Sequence, residues 1–161
     1  MVRDSAHILT NDVKILMYKY KYPRPALSVD VFVHQTRDSI DELLLIVRKN
    51  APFEGCWALP GGFVEEDETL EHAACRELEE ETGLVADELR QIKAYSDPNR
   101  DPRTRVVSVA FLATVATDAI AKADSDAADA RWFPLQQPLP DLAFDHDQII
   151  KDAVELMNKN E

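Results

Sequence analysis

The sequence predicts one domain of mixed α/β (α+β) class, a β-sheet carrying two helices. Three observations predict it. A chain of 161 residues is long enough to bury a single core. Strand-like stretches, three to eleven residues long, recur between turn-rich segments. Two stretches, residues 70–82 and 145–158, repeat their apolar residues at helical spacing instead.

Residues 1–22, within which His7 to Tyr20 read either as a strand or as a short helix, are expected to form an N-terminal extension packing on the domain, which then occupies 23–161. Pro23 and Pro25 punctuate its entry. Residues 27–33 alternate with β-branched enrichment and residues 42–47 form a continuous aliphatic run, so both predict strands. The polar QTRDSID between them predicts a loop. Residues 57–59 predict a short strand ending in Pro60-Gly61-Gly62, a turn whose glycines let backbone approach a ligand closely. A helix follows, capped by Asp67 or Thr69 and closed by Gly83. Residues 85–95 lead into a strand, SDPNRDPRTR at 96–105 is a loop, and 106–116 is a strong strand. Residues 118–130 predict a loop with a helical turn, and 131–134 a short strand. The last helix presents Ile149, Ile150, Ala153, Val154 and Met157 on one face, with Asp145 and Gln148 suited to capping its start.

Composition narrows function. Hydrophobic and charged contents of 45% and 30% are those of ordinary globular chains. No run approaches the roughly 20 apolar residues that span a bilayer, and the N-terminus lacks a signal-peptide core, so no membrane partner and a cytoplasmic location are expected. Cys56 and Cys75 form no metal or redox motif and predict reduced thiols. A net charge of −12 argues against a nucleic-acid partner, which needs a basic stripe. A small anionic substrate stays open, because metal ions and a few arginines neutralise phosphate locally.

The helix at 70–82 contains a conflict. Leu70, Ala73, Ala74 and Leu78 define its core face, yet Glu77 and Glu81 fall in the same arc and Glu80 at its edge, while Glu79 points away. Like charges at spacings of three and four destabilise a helix by about 0.2–0.5 kcal/mol per pair, and more when desolvated. A hard divalent cation bound by carboxylate oxygens removes the conflict. A solvated acidic face would leave Leu70, Ala74 and Leu78 exposed, so a metal site is the better reading.

The spacing is recognisable. Gly62, five residues, Glu68, seven residues, then Arg76-Glu77-Leu78-Glu79-Glu80-Glu81-Thr82-Gly83-Leu84 matches the Nudix box at every defined position. The chain therefore resembles the Nudix hydrolases, which cleave nucleoside diphosphates linked to another moiety. The resemblance implies an α/β/α sandwich with a mixed sheet and the box as strand, loop and helix. It implies Mg²⁺ as cofactor, with Mn²⁺ as the alternative, held by Glu77, Glu81, Glu80 and the Gly61 carbonyl. Arg76 points away from the site by helical angle and is expected to orient Glu68, a support for the ligands, or a neighbouring carboxylate. The general base is not located by the box. Glu80 is the first choice, with Asp97 and Asp101 as loop candidates against their commoner use in turns.

The segments SDPNRDPRTRVVSVAFLA, LAFDHDQII and YPRPALSVDVFV resemble a bacterial and archaeal branch that hydrolyses ADP-ribose. That branch includes Nudix domains fused to adenylyltransferases and to transcriptional regulators of NAD metabolism. It implies a small nucleotide as partner and leaves a homodimer open. Arg48, Arg100 and Arg105 are phosphate candidates, whereas a solvated surface role is favoured for Arg103. His146 divides evenly between substrate contact and capping or packing. Phe63, after the glycine turn, is better placed to stack on a base than Trp57 or Trp132, for which core packing is the default. The chain ends at Glu161, soon after the last helix, so a stand-alone hydrolase is expected. ADP-ribose pyrophosphatase leads. A nucleoside triphosphate pyrophosphohydrolase and a non-catalytic ADP-ribose sensor are the alternatives.

Overall fold

The computed structural model describes residues 19–159, so the expectation for most of the N-terminal extension lies outside the described residues. Two long strands, β1 (Ala26–Arg37) and β6 (Val106–Thr114), pair in parallel at the centre of a seven-stranded mixed sheet. β2 (Ile40–Arg48) runs antiparallel to β1, and β5 (Glu88–Tyr95) antiparallel to β6. β3 (Trp57–Ala58) and β7 (Ala127–Pro134) both pair with β2, and β4 (Gly61–Phe63) pairs with β1.

Alternation along β1 distributes its side chains between two cores, as the period of a strand requires. Val29, Val31 and Val33 join Ala73, Ala74 and Leu78 of helix α1 (Leu70–Thr82) on one face. Phe32 joins Leu43, Leu45, Ile149, Ile150 and Ala153 on the other, under helix α2 (His146–Asn158). The sheet is thus covered on both sides, the α/β/α sandwich that the resemblance implied. Ser28 and Asp30 share the α2 side with Phe32 by the same alternation, which puts a polar pair beneath the start of α2.

β1 and β2 do not stay together. They pair from Val33–Leu44 to Arg37–Ile40, after which the earlier part of β1 pairs with β4 instead. A gap opens between Ser28–Asp30 of β1 and the end of β2 at Arg48, and the candidate site occupies it.

The helix at the box has the predicted bounds. Thr69 is its N-cap, with Oγ1 accepting from the His72 N–H at 3.2 Å, and Gly83 closes it with a left-handed φ of 69°. Three expectations change. QTRDSID is no open loop: β1 continues to Arg37 and turns through Asp38 and Ser39, both at positive φ, because the two-residue hairpin turn matches strand twist. The alanine-rich segment holds no helical turn, and its second half begins β7 at Ala127, paired to Arg48 of β2. Asp145 stands at the N-cap of α2 without a side-chain cap bond, because Arg100 takes its carboxylate, and Gln148 bonds Asp152.

Candidate active site

Where β1 and β2 part lies a cavity of about 470 Å³. Glu77 and Glu81 of α1, Gly61 and Gly62 of β4, Arg48, Arg100 and Arg103, and Asp30 and His146 all line it. The box helix delivers the two glutamates because its core face also carries Ala73, Ala74 and Leu78, all buried against the sheet.

Glu81 is 5% exposed, and its Oε2 accepts the Gly61 N–H at 2.9 Å. Burial pushes its carboxyl from the ordinary 4.5 up to about 8, opposed by the Gly61 N–H and Arg48 and reinforced by Glu77 and Asp126. Burial likewise raises Glu77, against the pull of Arg76. A Cβ on Gly62 would overlap the Glu77 carboxyl, and one on Gly61 would overlap the Val29 carbonyl, so the turn needs both glycines for this approach.

Among the described residues no three acidic, histidine or cysteine side chains stand preassembled as a metal cage. Two adjacent carboxylates that burial makes costly to ionise still suit a hard cation. Mg²⁺ commonly takes one or two carboxylates and completes its shell with water and substrate phosphate. Glu77, Glu81 and the Gly61 backbone meet that requirement.

Arg76 does not point away as helical angle suggested. Its Nε and Nη2 grip Glu68 at 3.0 and 2.7 Å, as expected, and Nη1 reaches Glu77 Oε1 at 2.9 Å and Glu80 Oε2 at 3.1 Å. A long flexible side chain can fold back along its own helix, which an angle at Cα cannot reveal. Nη2 also donates to the Phe63 carbonyl at 3.1 Å, tying α1 to β4. The Arg76 guanidinium holds Glu68 down to about 2. Glu68 and Glu80 are not on the cavity wall, and the Glu80 side chain is 51% exposed at the far end of the Arg76 fork.

The loop residues divide differently from the expectation. Arg100 is buried, with Nε and Nη2 on Asp145 at 2.9 and 2.6 Å and Nη2 also 3.2 Å from Asp30. Arg105 is absent from the wall and donates to the carbonyls of Asp97 and Val106, so its place as a phosphate contact is corrected. Arg103, for which a solvated role was favoured, is the loop arginine that reaches the cavity without being enclosed. Asp101 accepts from Arg103 at 2.7 and 3.0 Å, which holds its carboxyl below the usual range. Asp97 makes a turn, accepting the Asn99 N–H at 2.7 Å.

His146 has no nitrogen left for substrate. Nδ1 accepts the Leu59 N–H at 2.9 Å, which puts the ring proton on Nε2, 3.2 Å from Asp30 Oδ1. Burial works against ionising Asp30, but His146, Arg100 and Ser108 outweigh it and bring its carboxyl well below the usual range. Phe63 is 45% exposed on the wall. Trp57 packs edge-on against Phe133 and Trp132 donates to the Ala119 carbonyl, so both are structural. Asp30, Asp126 and Phe144 line the cavity unanticipated. Only Asp30 left a trace, an acid inside a strand of otherwise buried aliphatics.

The NUDIX domain model matches residues 24–153. The chain belongs to the Nudix family. An ADP-ribose pyrophosphatase from Methanocaldococcus jannaschii is 47% identical over 141 residues, covering 87% of this chain and 80% of that protein. The Nudix domain of Shewanella oneidensis NrtR, solved with ADP ribose, superposes with a TM-score of 0.78 at 34% identity, covering 87% of this chain and 94% of that one. A bifunctional NMN adenylyltransferase/ADP ribose pyrophosphatase from Francisella tularensis, solved with AMP and a Mn ion, gives 0.72 at 29% identity, over 85% of this chain and 43% of that one. Among the described residues of this Nudix protein, no helix is long and apolar enough to cross a membrane.

Proposed function

We propose that this chain is a divalent-metal-dependent hydrolase, using Mg²⁺ or Mn²⁺, that splits ADP-ribose and water into AMP and ribose 5-phosphate. The observation that supports it is one cavity lined by the buried carboxylate of Glu81, the half-buried one of Glu77, and the guanidinium groups of Arg48 and Arg103. Glu77 and Glu81, with the Gly61 backbone, would hold the metal. When bound, the metal neutralises charge on the phosphate oxygens and makes its water more acidic. Water adds at one phosphorus, the bond to the bridging oxygen breaks, and that oxygen leaves on the other phosphate. Glu80, held by Arg76 off the cavity wall, would have to swing inward to accept the water's proton. Glu68 and Arg76 fix Glu77 in place, so that side chain meets the substrate already ordered. Arg48 would face the phosphate oxygens. Arg100 and His146, both on the cavity lining, hold the surrounding chain through Asp30 and Asp145.

A panel of ADP-ribose, NADH and nucleoside triphosphates with Mg²⁺, products identified by mass spectrometry, tests this. AMP and ribose 5-phosphate from ADP-ribose, with the highest kcat/KM of the panel, are expected. A triphosphate with the higher kcat/KM would move the chain to the triphosphate pyrophosphohydrolases. Tight ADP-ribose binding with no turnover of any compound would make it a sensor.

A further inference from the structure

Along the cavity, two arginines and two aromatic rings alternate. The Arg48 guanidinium carbon lies 4.9 Å from the centroid of Phe144. That of Arg103 lies 5.8 Å from the same ring and 5.4 Å from Phe63. All four residues line the cavity. The Arg48 donors go to the backbone carbonyls of Pro52 and Asn50, at 2.9 and 3.4 Å, and not to a carboxylate. Arg103 has one edge of its fork on Asp101, through Nε and Nη2, so the opposite edge is not committed there. Two cations sharing one ring repel each other. Burial first, and the Arg103 charge second, weaken the hold of Arg48 on its proton. An anion with two charged centres would relieve that repulsion.

The ring between them is held under strain. Phe144 has a φ of 53°, where a bulky residue is an outlier. Its neighbours are fastened: the Ala143 N–H donates to the Trp57 carbonyl at 2.8 Å, and the His146 N–H to the Ala143 carbonyl at 3.2 Å. The ring also packs on Phe53, centroids 4.7 Å apart. Such strain persists only where the surroundings over-determine it, and it clusters at ligand sites.

We propose that Phe144 is a positioning residue that holds Arg48 and Arg103 as a two-guanidinium clamp for the diphosphate of the substrate, and that Arg103 sets the preference for two linked phosphates over one. This rests on reading the cavity as a pyrophosphohydrolase site. A planar fork stacked on rings presents its donors in fixed directions, which a lysine does not.

The test is competitive inhibition by AMP and by α,β-methylene-ADP, a non-hydrolysable diphosphate, against whichever panel substrate the wild type turns over best. The wild type should favour the diphosphate. Arg103→Ala should cut that advantage roughly ten- to a hundredfold, the worth of a charge-assisted contact, and Arg103→Lys should restore part of it. Phe144→Leu should reduce the same ratio and raise KM more than it lowers kcat. The Arg103 side chain is 43% exposed, so its truncation leaves no core cavity, and Mn²⁺ affinity by electron paramagnetic resonance should be unchanged. An unaltered ratio in Arg103→Ala and Phe144→Leu overturns the clamp, as does an equal loss of Mn²⁺ affinity. A triphosphate as best substrate would remove the ADP-ribose reading, yet the clamp would still be judged by its own ratio.

Discussion

Glu81 combines a nearly inaccessible carboxylate with a second one, Glu77, beside it, and no ordinary helix face would tolerate the pair. Its carboxyl titrates near 8 in the fold against 4.5 ordinarily, so between those values the folded chain binds the extra proton. Metal-free stability from this group is therefore full below about 4.5 and is lost as pH rises through about 8. Glu81→Gln removes that titration. Without metal, the variant should melt higher than the wild type at alkaline pH, the gap closing towards pH 5, while kcat falls by at least about a hundredfold. Thermal melts in chelator across pH 5–9, with turnover in Mg²⁺, check both. A melting gap that does not depend on pH would show that Glu81 is not desolvated. At this scale the sequence reached the glutamates through spacing alone, since residues three and four apart must share a helix face. It could not place Arg103 and Arg105, because a loop has no period and nothing local says which of its arginines turns inward.

Elements meet at two joints that carry the site. At the first, β4 backs onto α1, and the missing Cβ of Gly62 gives the Glu77 carboxyl its place. Gly62→Ala should leave the fold intact by circular dichroism but displace Glu77, lowering Mn²⁺ affinity and kcat together. Wild-type metal affinity in that variant would mean that Glu77 is free to move without consequence. At the second joint, Arg100 links the loop after β5 to Asp30 of β1 and Asp145 at the start of α2. Its side chain is 4% exposed, and breaking a buried pair from one side typically costs about 3–5 kcal/mol. Arg100→Ala should lower the urea midpoint accordingly without changing the slope. A loss under about 1 kcal/mol would show that water reaches the two aspartates. This joint explains why Asp145 fails as a cap: a buried guanidinium competes better for the carboxylate than an exposed backbone N–H. Alternation and helical spacing marked most elements. The first half of β7 escaped because residues 127–130 have no β-branched residue and are a strand only through pairing with β2, whereas 131–134 were expected.

Across the whole molecule, two helices cover one mixed sheet, and the site lies where β1 exchanges β2 for β4 as its partner. Chelation should abolish turnover, and Mg²⁺ should restore it. Mg²⁺ at about a hundred times its dissociation constant should stabilise the fold by about 2.7 kcal/mol, read as a rise in Tm. Turnover undiminished in chelator, with metal content verified as nil, would remove Glu77 and Glu81 from the role given them. By itself the sequence determined the fold class, from periodicity along the whole chain, and the box helix with its caps and glutamates, from fixed spacing within some 23 residues. Only the tertiary structure decided which residues complete the cavity. Arg48, Arg103 and Phe144 come from a strand end, a loop and a left-handed residue before α2, and only the packing of distant segments brings them to one cavity. The same packing makes His146 and Arg100 buried partners of Asp30 on the cavity lining, since a group's surroundings decide what fills its hydrogen bonds.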